Sequence, residues 1–181
     1  MKKKNIIIIW ILVLVIVVVY FIYNKKMPLN DIYIGSTFPP EDQKVFEEQL
    51  SNFDLRELTG YTDVIDKARL YDYLWYPGKA ILVYKDFIST DTWEYVAVLT
   101  NIGHLYKEVC EVNGKLNRSY CKEAINWYEY IISKYGNKNL YKGITEVYLK
   151  MWNDKKAKKY YKLYQDTTGR SESWIEKKLE L

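Results

Sequence analysis

The sequence predicts an all-α protein: one apolar N-terminal helix followed by a short array of antiparallel helix hairpins. Three observations carry that expectation. Ile6 to Tyr23 is an unbroken run of eighteen apolar or aromatic residues, set between Lys2-Lys3-Lys4 and Lys25-Lys26. Residues that interrupt helices are scarce, with 8 Gly and 4 Pro among 181 residues. Beyond the run, small and aromatic residues recur at helical spacing in three successive stretches.

Residues 1–4 form a short basic tail and 5–24 the expected transmembrane anchor. Eighteen residues at about 1.5 Å each make a helix roughly 27 Å long, close to the ~30 Å hydrocarbon core of a bilayer. A cleaved secretory signal also begins with basic residues and an apolar run. The exit Val17-Val18-Val19-Tyr20-Phe21-Ile22-Tyr23 argues against cleavage, because it offers bulky side chains where a signal peptidase needs small ones. Lys2, Lys3, Lys4 and the terminal amine outweigh Lys25 and Lys26, which places the N-terminus in the cytoplasm and exports the rest as a single-pass protein. Met1-Lys2-Lys3 has no glycine for myristoylation, and Glu180-Leu181 has no cysteine for prenylation.

Residues 25–60 read as a linker and a docking helix. Pro39-Pro40-Glu41-Asp42 opens that helix, and Val45, Phe46, Leu50 and Phe53 form its apolar stripe. Between 61 and 171 the chain repeats. Val64, Ala68 and Tyr71 correspond to Leu99, Gly103 and Tyr106, and then to Tyr141, Thr145 and Tyr148. A second set aligns Ala80, Tyr84 and Phe87 with Ala124, Tyr128 and Ile131, and with Ala157, Tyr161 and Tyr164. Each offset lies on one helix face, so each unit is two helices, the first with a small residue at a close approach and the second with an alanine at a crossing. Pro77-Gly78 is expected to separate the helices of the first unit. Ser89-Thr90-Asp91 should cap the next helix, and Asn139 and Asp154 the two of the third unit. Gly136 and Gly169 should stop helices. Residues 172–181 form a capping helix, with Ser173 and Glu176 at capping-box spacing.

This pattern resembles the tetratricopeptide repeat, whose helix-turn-helix unit places a small residue and an aromatic in its first helix and alanine, aromatic and apolar residues in its second. The resemblance covers about Tyr61 to Ser171. It departs in two ways. Ala80 and Ala124 lie 44 residues apart where Ala124 and Ala157 lie 33 apart, so the middle unit carries an insertion at about 111–119, with Asn113-Gly114 as its turn. The family's proline after the second helix is also missing.

The resemblance implies that the first helices line a groove for a peptide or a partner helix. Carried onto this chain, its contact residues are Arg69, Asp72 and Tyr73, then Thr100, His104 and Lys107, then Lys142, Glu146 and Lys150, a set that tilts basic. The implied function is a single-pass, membrane-anchored scaffold or adaptor that binds another envelope protein through this surface. Residues 6–23 would meet the lipid bilayer. A dedicated inhibitor or immunity-type binder using the 111–119 insertion is the alternative.

Other chemistry finds little to stand on. A formal charge of +4 implies neither nucleic-acid nor strong anionic-lipid binding by itself. Cys110, Cys121 and the lone His104 cannot complete a four-ligand zinc site, so no metal is expected. The cysteines are open to two readings: a disulfide closing a short loop in an exported domain, or two half-buried thiols at facing helix ends. No phosphate-binding glycine loop, nucleophile elbow or His-Glu metal motif occurs, so neither a cofactor nor an enzyme is expected. Glu47-Glu48 and Asp63-Asp66 fall on solvated faces. Lys155, Lys156, Lys158, Lys159 and Lys162 form the densest charge run, read as a solvated outer helix in preference to a lipid-binding face assisted by Tyr160, Tyr161 and Tyr164.

Overall fold

The computed structural model describes residues 14–15, 28–34, 39–54, 58, 60–90 and 96–181. The expected anchor lies outside the described residues except for Leu14 and Val15. Among the described residues no helix is long and apolar enough to cross a membrane.

The fold is all-α, with eight helices among the described residues. They are α1 Pro40–Asp54, α2 Tyr61–Tyr73, α3 Pro77–Thr90, α4 Val96–Val109, α5 Arg118–Tyr135, α6 Leu140–Lys150, α7 Asp154–Thr168 and α8 Ser173–Leu179. Consecutive helices pack on one another from α1 to α8, and α3 with α4 and α5 with α6 link the successive pairs. α4 also touches α6, so the first helices of the pairs adjoin. One continuous core runs from Ile32 to Leu179. Its regular aromatic spacing is the source of its packing: Tyr84, Tyr106, Tyr128, Tyr148 and Tyr161 are all buried, while Tyr71 is half-buried.

The central ring is Tyr128 on α5, which is completely buried. A Cβ placed on Gly103 of α4 would meet its Cε1 at 2.8 Å, and a Cβ on Gly143 of α6 would meet its Cε2 at 2.8 Å. One tyrosine thus occupies the space two helices leave by carrying no side chain there. Thr145, the small residue expected at this crossing of the third unit, is instead buried with its Oγ1 donating to the Tyr141 carbonyl at 2.9 Å.

The insertion folds differently from a plain loop. Glu111–Val112 (β1) and Lys115–Leu116 (β2) pair antiparallel. Asn113 and Gly114 turn between them with φ of 52° and 71°, the double positive φ of a tight hairpin turn that Asn-Gly favours. Cys110 and Cys121 close its base as a disulfide, with Cα atoms 4.6 Å apart. Both are fully buried, which replaces the half-buried thiol reading. Asn117 finishes the hairpin and caps α5, its side chain accepting from the Ser119 and Tyr120 N–H groups.

Several boundaries move from their expected places. Pro77 opens α3 as its first residue, so the turn is Leu74-Trp75-Tyr76; a proline there loses no helical hydrogen bond. Ser89 and Thr90 end α3, and Asp91 lies outside the described residues. Asn153, not Asp154, caps α7 by accepting from the Lys156 N–H. Asn139 has helical angles and makes no side-chain cap. Glu172 precedes α8, with no capping box from Ser173. Gly136 and Gly169 stop α5 and α7 in the left-handed conformation, as expected.

At the N-terminal end, Ile32 is buried and the Ile34 N–H donates to the Trp75 carbonyl at 3.1 Å. Gly78 admits this segment: a Cβ there would fall 1.8 Å from the Leu29 carbonyl oxygen. α1 is held more lightly, with no buried residue. Phe46 lies 5.5 Å from the Tyr73 ring, Asp54 pairs with Lys67 at 2.7 Å, and Val45 remains half exposed.

Candidate functional site

The first helices of the hairpins bring two faces together, and a cleft of about 230 Å³ opens between α2 and α4. Ala68, Arg69, Asp72 and Tyr73 line it from α2, Asn101, His104, Leu105 and Glu108 from α4, and Tyr84 from α3. A second cleft of about 250 Å³ shares Asp72, Tyr73 and Glu108 and adds Ile34, Trp75 and Pro77. The Nε1 of Trp75 is buried without a hydrogen-bond partner among the described residues.

Four expected contact residues, Arg69, Asp72, Tyr73 and His104, line this cleft. The other charged ones do not face it freely. Lys107 pairs with Glu146 across α4 and α6. Lys150 donates to the Lys107 carbonyl at 3.0 Å, and burial lowers its pKa. Lys142 pairs with Glu172 at 2.7 Å, and that hydrogen bond raises its pKa. Three expected partner-binding lysines are therefore engaged within the chain, which leaves Arg69 as the basic residue of the cleft lining. Thr100 is half-buried beside the cleft residue Asn101.

What the cleft offers instead is two carboxyls and Arg69 among aromatic walls. Among the described residues Asp72 and Glu108 have no ion-pair or hydrogen-bond partner. Both side chains keep contact with solvent at the cleft mouth, yet the surrounding elements crowd their carboxyls. Burial raises the Asp72 pKa. Burial, and then the charge of Asp72, push Glu108 up to about 7. Two carboxyls in one partly dry cleft resist ionising together.

His104 is held from behind. Its Nδ1 lies 3.1 Å from the Tyr128 Oη, and desolvation followed by Lys107 lowers its pKa, so it is neutral near pH 7. Asn101 Nδ2 donates to the Tyr84 Oη at 3.2 Å. These bonds fix the walls of the cleft without consuming its carboxylates. Among the described residues no three His, Cys, Asp or Glu side chains gather to hold a metal ion.

The missed residues Asn101, Leu105 and Glu108 share a simple signal with His104, which was expected. Asn101, His104, Leu105 and Glu108 follow the i, i+3, i+4, i+7 pattern of one helix face, whereas Thr100, His104 and Lys107 describe a face turned slightly aside. The lysines of the basic helix α7 are exposed, with Lys156 over the Tyr148 ring and Lys159 over the Tyr160 ring. Tyr161 and Tyr164 are core residues, not surface partners of those lysines.

Comparison with protein-family models, curated proteins and solved structures finds no match to this chain.

Proposed function

We propose that this chain is a single-pass, membrane-anchored adaptor built on tetratricopeptide-like hairpins, which grips a segment of another envelope protein in the cleft between α2 and α4. The observation that carries the reading is the contrast in that region: Lys107, Lys142 and Lys150 are engaged by contacts within the chain, while Asp72 and Glu108, with Arg69 the third charge of the lining, have no ion-pair partner among the described residues in a cleft walled by Tyr73 and Tyr84. Such a cleft suits a cationic side chain whose stem packs on the rings, because a partner's lysine or arginine pairs with two carboxyls that have no cation of their own bonded to them. A secretion, assembly or quality-control complex would offer partners of this kind. The apolar run 6–23 supports the tether.

Co-purification of the full-length chain from its native membrane tests the reading, beside a variant carrying Asp72→Asn and Glu108→Gln. Both changes keep side-chain shape and remove charge. A stoichiometric partner present with the wild type and lost with the variant is the expected result; equal recovery of that partner would count against the cleft. A second reading has one observation in its favour. The disulfide-clamped hairpin presents a rigid tip at Asn113-Gly114, as an inhibitor or immunity-type binder would need. Changing the exposed Glu111, Asn113 and Lys115 separates the two, since only this reading loses its partner.

A further inference from the structure

The same turn is built twice in this molecule, and only one copy is covered. In the first hairpin the Trp75 N–H bonds to the Asp72 carbonyl and the Tyr76 N–H to the Tyr71 carbonyl; in the third, the Trp152 N–H bonds to Leu149 and the Asn153 N–H to Tyr148. Both tryptophans take left-handed backbone angles, with φ of 63° and 55°. A bulky residue is disfavoured there, and glycine or asparagine would serve the turn better. Trp75 is shielded by residues 28–34 of its own chain. Trp152 stands 85% exposed, an indole held on a left-handed backbone at a conformational cost.

Its neighbours are the lysines of α7. Lys155, Lys156, Lys158, Lys159 and Lys162 are all exposed. Lys155, Lys158 and Lys162 fall on one stripe of that helix and have no ion-pair or hydrogen-bond partner among the described residues. Lys156 and Lys159 rest over Tyr148 and Tyr160 at 5.1 and 5.7 Å from the ring centroids. Trp152 immediately precedes the Asn153 cap of this helix. The acids of α7, Asp154 and Asp166, lie at its two ends.

We infer that Trp152 and the α7 lysines form a docking face for anionic phospholipid, on which the domain settles against the bilayer that its N-terminal run enters. The inference rests in part on the proposed tether. Indole is favoured at the headgroup layer because one edge is apolar and the other carries an N–H. Long lysine stems place their ammoniums among lipid phosphates while their carbons cover apolar surface. A second copy of residues 28–34 does not fit here in the manner of the first turn. Lys155 stands where Gly78 lets the Leu29 carbonyl approach, so its side chain would block the seat.

The test uses the full-length chain labelled with 5-fluorotryptophan and mixed with vesicles of phosphatidylcholine alone or with about one-third phosphatidylglycerol. The Trp152 fluorine signal is assigned by its loss in Trp152→Phe. A water-soluble gadolinium chelate then reports whether the indole is open to solvent. Each lysine at an anionic surface is worth roughly fivefold in occupancy, so Lys155→Gln, Lys158→Gln and Lys162→Gln together should lower the docked population by about a hundredfold. The expected result is shielding of Trp152 on anionic vesicles only, reversed by high salt and lost in the triple variant. An open signal on both vesicles, equal shielding on both, or shielding unchanged in the triple variant overturns the inference. Equal shielding by soluble polyglutamate also overturns it, in favour of an acidic protein partner. Failure to float with neutral vesicles sinks the tether alone, because the anionic vesicles still judge the docking face.

Discussion

Tyr128 shows how much one side chain can determine. Its ring fills the gap between Gly103 and Gly143, and its hydroxyl holds His104 at the cleft wall. Alanine in place of a helical glycine ordinarily stabilises by about 1 kcal/mol. Here either substitution drives a Cβ into a ring that the opposite helix prevents from retreating, and overpacking of this kind costs roughly 1–3 kcal/mol. Gly103→Ala and Gly143→Ala should each give no gain or a net loss in chemical denaturation; clear stabilisation by both would mean that the ring is free to move. Glu108 makes a prediction of a different kind. Its pKa in the folded protein, about 7, lies above the ordinary 4.5, so the folded state binds more protons than the unfolded one across that interval. Its unfavourable contribution is absent at lower pH and grows as pH rises through the window, reaching its full size above about 7. Thermal melts from acid to neutral pH should therefore show the wild type losing stability relative to Glu108→Gln. Parallel curves for the two proteins would refute the crowding of this carboxyl. The direction of this shift was not readable in the sequence, because it depends on Asp72 and Glu108 arriving in one cleft from two helices.

Among the elements, the hairpin β1–β2 and its disulfide are the clearest departure from a plain repeat. The turn was legible, since Asn113-Gly114 is a strong local signal, but the two short strands were not, being too brief to show alternation. The bond between Cys110 and Cys121 ties the end of α4 to the start of α5. In the chain-entropy model, closing a loop of this size stabilises a fold by about 3 kcal/mol. Replacing both cysteines with alanine should lower the unfolding free energy by roughly 2–3 kcal/mol, measured by denaturant titration under non-reducing conditions. Equal stability of the two proteins would show that the hairpin holds without its clamp. Helix pairing was legible because alanine, glycine and tyrosine recur on fixed faces. Helix ends were read less well: Asn153 and Glu172 take positions assigned to Asp154 and Ser173, since adjacent polar residues compete for the same cap and the sequence does not say which one the packing selects.

At the scale of the whole molecule, charge acquires meaning only through pairing. Counting side chains along the first helices makes the groove basic. Lys107, Lys142 and Lys150 are nevertheless taken up by Glu146, Glu172 and a backbone carbonyl, and Arg69 and the carboxyls of Asp72 and Glu108 remain in the cleft. A composition-level reading misses this because net charge says nothing about which charges are already neutralised. The repeated Trp turn was equally open to inspection, as Trp75 and Trp152 keep the same register to Ala80 and Ala157, yet its left-handed geometry is a property of the backbone. The central claim is that the cleft between α2 and α4 holds a cationic segment of a partner. It is tested most directly by placing a photo-crosslinking amino acid at Tyr73 in the full-length chain and irradiating it in its native membrane. The account predicts one dominant crosslinked species that disappears when Asp72→Asn and Glu108→Gln are added. A crosslink that survives both changes, or that forms only from a probe placed at Lys115 on the hairpin, would contradict it.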